Sequence, residues 1–282
     1  MQKPFKTSSS FSFNPEDGTY KMTVEVPCEL SMVLLQSSVH VNVVDLENNE
    51  AIMTKCPVDR SDPINGKNAM LASYRCAEPM HRIEMAIRTV EGQYGTVQAF
   101  VIADVEPRTA QIVKFEVAPL SLHTKVDGID GFSDRPLNTL KFSGNFTIRQ
   151  VHEWMGHLFP EFTSKLSKKK HKQKVYFRNV FVGSGLECVY KDKSAEFRTD
   201  NISTIAILKD AMTALATARN VRVTTQFEVE DKSIEAMLRR IDPKLRYQTS
   251  LSKKMELIKG LSELDVQEDD TSYLDEEYAE IL

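Results

Sequence analysis

No run of ~18 consecutive apolar residues occurs in this 282-residue chain, so no segment reads as a membrane-spanning helix. The opening Met1-Gln2-Lys3-Pro4-Phe5-Lys6 leads into serines at 8, 9 and 10 instead of the apolar stretch of a secretory signal. The expectation is a soluble, cytosolic protein. Excess charge of one sign is lacking too: 36 Lys and Arg stand against 40 Asp and Glu, a net charge of −4. That balance is short of the basic face a nucleic-acid partner requires, so no nucleic acid is expected. Cysteine is scarce and unpatterned. Cys28, Cys56, Cys76 and Cys188 have no C-x-x-C spacing. Three of them sit beside apolar residues, where a thiol packs as a small hydrophobe, so they read as reduced core cysteines.

Catalytic and cofactor signatures are missing as well. His40, His81, His123, His152, His157 and His171 include no H-E-x-x-H pair. His152 and His157 are five residues apart and would point about 140° apart on a helix. No metal or other cofactor is assigned. Gly183-Ser184-Gly185 is not followed by Lys-Ser or Lys-Thr and does not complete G-x-G-x-x-G, so it reads as a tight turn between strands. No G-x-S-x-G elbow is present, and the acids Asp127 and Asp130 lie in a predicted linker. The chain therefore reads as non-enzymatic, with no catalytic residue.

What is present is a mixture of patterns in order along the chain. The hydrophobic share of 41% suits a cored protein, and the length suits two domains. From Ser9 to Leu122, short alternating runs predict strands, among them 20–26, 31–37, 39–46, 70–76, 82–90, 95–105 and 109–117. Strands at such spacing, separated by turns such as Asn14-Pro15-Glu16-Asp17-Gly18, predict an immunoglobulin-like β-sandwich over residues 1–126. The Gly92 to Gly95 block reads as a turn with close backbone approach. Residues 126–136, with two Asp-Gly pairs and a proline, read as a linker. An α+β domain is predicted over 134–230: strands at 139–143, 175–181, 187–190, 195–198 and 221–230, and helices at 147–158 and 202–219. The second helix carries a stripe of Ile205, Leu208, Met212 and Leu215, with Asp200, Asn201 or Ser203 able to cap it. From 231 to 282 the chain reads as charged helix, restarted at Asp242-Pro243 and continuing over 245–264.

Several longer runs carry a resemblance: Asp200 to Asp210 (Asp-Asn-Ile-Ser-Thr-Ile-Ala-Ile-Leu-Lys-Asp), Glu91 to Phe100 (Glu-Gly-Gln-Tyr-Gly-Thr-Val-Gln-Ala-Phe), Pro107 to His123, Arg135 to Leu140, and Asp242 to Tyr247. Together and in this order they resemble the C-terminal part of the Bardet-Biedl syndrome protein seven family. The resemblance implies an adaptor-ear type sandwich, a platform domain and the start of a helical hairpin, within a longer protein whose β-propeller and coiled coil are not seen here. It also implies a non-catalytic subunit of the BBSome, a coat-like complex that sorts membrane-protein cargo to and from the cilium. The implied partners are the other subunits, notably the second and ninth, with an Arf-like GTPase and cargo met through the whole complex. The implied locations are cytoplasm, cilium, basal body and centrosome or centriolar satellites.

Two sets of residues stand out as candidate contacts. Leu251, Met255, Ile258 and Leu261 form an apolar stripe on the tail helix, expected to be covered by the platform, a second copy or a sister subunit. Lys165, Lys168, Lys169, Lys170, Lys172 and Lys174 concentrate positive charge within ten residues. They read first as a solvated loop and second as a contact for anionic lipid. The alternative function is accordingly a lipid-binding or peptide-motif-binding adaptor module at membrane surfaces. Residues 263–280 hold nine acids and no Lys or Arg, and read as a hydrated hairpin tip or a seat for a basic partner.

Overall fold

The computed structural model describes residues 5–46, 51–56, 69–106, 108–162 and 171–267, the side chains of 265–267 excepted. The first strands are β1 (Ser8–Asn14), β2 (Thr19–Glu25), β3 (Leu30–Ser37), β4 (Val41–Val44), β5 (Ala51–Lys55), β6 (Ala69–Cys76), β7 (Arg82–Thr89), β8 (Gly95–Ala103) and β9 (Ala110–Val117). They form two antiparallel sheets, β1-β2-β7-β4 and β5-β6-β3-β8-β9. Period-two alternation is the cause. In β8, residues Val97, Ala99, Val101 and Ala103 are buried while the residues between them are not. The inward rows of both sheets meet in one core that includes Met22, Val24, Val33, Leu35, Tyr74 and Met85. This is the expected ear-like sandwich. The β1–β2 hairpin turns at Gly18 (φ 66°), where Asn14 Oδ1 accepts the Glu16 N–H at 3.2 Å.

The platform consists of β10 (His123–Val126), β11 (Asn138–Gly144), α1 (Ile148–Leu158), β12 (Lys172–Asn179), β13 (Gly185–Lys191), β14 (Ser194–Thr199), α2 (Ile202–Ala218) and β15 (Val223–Glu228). Its sheet order is β10-β12-β13-β14-β11-β15, and α1 and α2 pack on one face. Thr147 and Gln150 make a reciprocal capping box at the start of α1, which satisfies two otherwise orphaned N–H groups. Asn201 caps α2 by accepting the Ser203 N–H. The stripe of α2 holds Ile205, Leu208 and Met212 in the core, with Leu215 half-buried beside them. Phe159, just past α1, stacks on Phe177 at 3.7 Å between ring centroids.

Three sequence readings need correction. Residues 123–126, read as the end of the sandwich, pair instead with β12 in the platform sheet, because β12 offers them backbone partners. Residues 126–136, read as a linker, are not bare connection: a 3-10 turn at Phe132–Asp134 buries Phe132. The Phe132 ring meets Tyr176 edge-on at 6.4 Å and covers Gly185, where an added Cβ would come within 2.9 Å of it. The third concerns Pro243. The tail is one continuous helix, α3 (Asp231–Gln267), with Pro243 inside it. A proline costs an interior helix roughly 3 kcal/mol, but each residue on either side adds a bond once the helix has started, so the flanks carry it through. Of the cysteines, Cys188 is buried and Cys28, Cys56 and Cys76 are half-buried, all of them free.

Residues Met1–Ser233 form one compact unit and Ile234–Leu282 a second. Ear and platform therefore belong to a single body.

Candidate functional site

The ear meets the platform along a seam of buried polar groups. Glu91, in the β7–β8 turn, accepts from His123 Nδ1 at 2.5 Å through one carboxylate oxygen and from Asn179 Nδ2 at 2.7 Å through the other. Asn179 Oδ1 in turn accepts the N–H groups of Phe181 and Val182, so the β12–β13 turn is tied to the same point. The adjoining Gly183 adopts φ 69°, as the tight-turn reading of Gly183-Ser184-Gly185 requires. Tyr20 of β2 donates its hydroxyl to the Ser121 carbonyl at 2.5 Å, and Thr89 donates to the Ser121 hydroxyl at 2.8 Å. Burial raises the Tyr20 hydroxyl well above the ordinary tyrosine value, so it stays a donor. Backbone bonds add to the joint: Gly92 N–H to Pro119 O at 2.8 Å, Leu120 N–H to Leu158 O at 3.0 Å and Val180 N–H to Leu122 O at 2.9 Å. Gly92 has φ 89°, and an added Cβ would lie 3.2 Å from Ile207 of α2, which is the close approach expected of that block.

A second knot lies within the platform. Asp200, almost fully buried, takes Arg135 on one oxygen at 2.9 Å and the Gly185 N–H on the other at 2.9 Å. Asn138 links β11 to Ser233 at 2.9 Å and to the Glu230 N–H at 3.0 Å. Glu91, Ser121, His123, Arg135, Asn138 and Asp200 all fall within the runs that carry the family resemblance. Their chemistry here is joining, since each of these bonds ties together separate elements of the chain.

Two clefts open along the seam and share Glu116, Val117 and His157. The larger, of about 410 Å³, lies between Tyr94 and Pro119 of the ear side and Ala211, Ala214 and Leu215 of α2. The smaller, of about 180 Å³, is lined by Phe11, Phe13, Phe159 and Glu161 among others. Glu161 is itself tied to the Phe13 N–H at 2.9 Å. The larger cleft presents mainly apolar surface, the smaller a mainly polar one.

The two sets of candidate contacts have different fates. On α3, Met255 and Ile258 are 70% and 50% exposed, Leu251 is half-buried and Leu261 is buried at 7%. The stripe is thus open at its middle and closed at Leu261. Leu245, Tyr247 and Leu257 are also exposed on this helix; Tyr247, four residues before Leu251, continues the stripe, whereas Leu245 and Leu257, six residues from Leu251, fall off it. Of the lysines, Lys165, Lys168, Lys169 and Lys170 lie outside the described residues. Lys172 is exposed on β12 and stands opposite Lys191 of β13. Lys174 is committed: it pairs with Glu187 at 2.6 Å and lies over the Tyr176 ring at 4.9 Å. Glu187 also approaches Arg198 at 3.5 Å. Burial opposes the Glu187 charge, but Lys174, Tyr176 and Arg198 outweigh it and hold its carboxyl below the usual range. The hydrogen bond to Glu187, and then that to Tyr176, raises the Lys174 ammonium. Among the described residues no group of histidine, cysteine and acid side chains is arranged to hold a metal, and no helix is long and apolar enough to cross a membrane.

Family comparison follows this division. The BBS7 GAE domain model matches residues 4–115, the BBS7 platform domain model 123–228 and the BBS7 hairpin model 231–282. The chain belongs to the BBS7 family. It is 39% identical over 280 residues to the BBSome complex member BBS7 of Mus musculus. It is 30% identical over 279 residues to the BBSome complex member bbs-7 of Caenorhabditis elegans. Each alignment covers 99% of this chain and 38% of the relative, so the chain spans little more than a third of the length of the curated relatives it matches. In BBS7 terms the ear is the GAE domain, and the seam anchored by Glu91 joins it to the platform. The BBS7 hairpin begins where α3 begins.

Proposed function

We propose that this chain is a non-catalytic part of a BBSome subunit, a scaffold for assembly of the complex and for sorting membrane-protein cargo to and from the cilium. Its direct partners are other BBSome subunits, the second and ninth first among them. An Arf-like GTPase and cargo are met through the assembled complex, at the cilium, basal body and centrosome. The observation that carries this reading is the open apolar surface of α3, where Met255 and Ile258 stand in solvent in a chain whose relatives are members of one complex. Apolar helical surface of that kind favours association. Changing Leu251 and Ile258 together to Glu places two charges in the contact, where an unpaired buried charge is costly. Pulldown with the sister subunits should then fall at least tenfold while residues 1–233 melt as in the parent. Normal incorporation of the double variant would remove α3 from the interface.

A second reading rests on Lys172 and Lys191. Like charges placed directly opposite across two strands destabilise a sheet, and an anionic lipid surface would relieve them, each base contributing about 1 kcal/mol. Sedimentation with vesicles containing phosphatidylserine, at two salt concentrations, separates the readings. Salt-sensitive binding lost in Lys172→Glu supports the lipid contact, and no sedimentation at low salt rejects it.

A further inference from the structure

The outward face of the ear's five-stranded sheet departs from the alternation that built it. Inward residues Val33, Val101 and Val113 enter the core, so the intervening residues face away from it, where polar side chains are expected. Instead two apolar rows run across β3, β8 and β9. Met32 pairs with Ile102 and Ile102 with Ala110; Leu34 pairs with Phe100 and Phe100 with Ile112. Ile112 is 52% exposed, and Met32, Leu34, Phe100 and Ile102 are half-buried. Two basic residues border this block: Arg75 lies across from Met32, and Lys114 lies two residues past Ile112; the exposed acids Asp104, past the end of β8, and Glu116, two residues beyond Lys114, lie farther toward the edges.

We propose that this block docks a single amphipathic helix of a partner chain, with acidic residues beside its apolar stripe. Three considerations select that occupant. Two rows set two residues apart on three adjacent strands span about 7 Å by 10 Å between Cα positions, which is the footprint of about two turns of one helix. Even with side-chain width added, that is on the order of 200 Å², far below the ~800 Å² per partner of a stable dimer, so a second copy of the ear would not be held by it. A sheet face also offers side chains and no backbone groups. An extended peptide laid on it would bury unpaired N–H and C=O groups, whereas a helix pairs its own. Arg75 and Lys114 then set the charge of the stripe's flanks. The proposal goes beyond subunit scaffolding, and it concerns residues that take no part in the bonds of the seam.

The test places a photo-crosslinking benzoylphenylalanine at Ile112 in the full-length protein within its assembly, and maps the crosslinked peptides by mass spectrometry. Co-purification of the assembly is scored separately, so that loss of incorporation is not mistaken for loss of docking. The expected product joins residue 112 to one helical segment of another chain with apolar spacing and acidic flanks. That segment, synthesised as a peptide, should bind the full-length protein, and Arg75→Glu with Lys114→Glu should weaken it at least tenfold without lowering the melting temperature. A crosslink to the same face of a second copy, to this chain itself or to nothing in the intact assembly overturns the proposal. So does a peptide indifferent to the two charge reversals.

Discussion

At the scale of single residues, Glu187 shows how the platform's outer sheet face holds a charge it has nearly buried. Lys174 and Arg198 lie on either side of it, and its carboxyl titrates below the ordinary glutamate value of 4.5. A depressed folded value contributes stability above the unfolded value that is lost as pH falls through the folded one. Glu187→Gln should therefore lower the melting temperature at neutral pH, by an amount corresponding to about 1 to 2 kcal/mol, since the pairing cations are themselves solvated. The gap between variant and parent should close below about pH 4.5. Melts recorded by circular dichroism from pH 3 to 8 would show it, and a constant gap across that range would mean that Glu187 acts through packing alone.

At the scale of elements, helix α2 places Ile205, Leu208, Ala211, Met212 and Ala216 in the platform core. Leu208 is fully buried on it, so Leu208→Ala should cost roughly 2 to 5 kcal/mol through lost transfer and the cavity left behind. Thermal unfolding would report the loss, and an unchanged melting temperature would put the stripe elsewhere. Elements of this kind were legible in the sequence because their signals are local. The Ile205, Leu208, Met212 spacing announces α2, and alternation announces β8 and β9. Two strands, β5 and β10, lacked such a signal. They are five and four residues long and exist by virtue of their partners. The proline at 243 misled because breaker chemistry is local while the persistence of a long helix is cooperative. Along the apolar stripe of α3, burial at Leu261 and exposure at Met255 depend on surroundings that spacing does not contain. The seam was illegible for a related reason: Glu91 bonds to partners 32 and 88 residues away, and no window of sequence places them together.

At the scale of the whole molecule, that seam decides how the ear and platform unfold. Glu91 reaches across it from the ear to His123 and Asn179, while Tyr20 and Thr89 hold Ser121 and Gly92 holds Pro119 in the segment that leads into the platform. Removing the Glu91 carboxylate leaves buried His123 and Asn179 without that acceptor, a loss of about 1 to 3 kcal/mol for each orphaned group. We propose the division into ear, platform from His123 and helical segment from Asp231, with the first two melting together. Calorimetry of residues 1–233 should show one transition in the parent, and Glu91→Ala should lower it or split it in two. Two transitions in the parent would mean that the seam does not couple the domains.

Helix α3 sets a rule of phase. Its 37 residues span about 55 Å at 1.5 Å each, and because no turn interrupts them, every side chain beyond Pro243 keeps a fixed angle to those before it. One residue inserted after Lys244 would advance all later positions by about 100° and swing Met255 and Ile258 to another side of the axis, whereas seven inserted residues would bring them back to within about 20°. Composition would hardly change in either case. If binding through the tail fails with one added residue and returns with seven, then α3 is read by angle as well as by apolar content, and the length of this helix is part of its specificity.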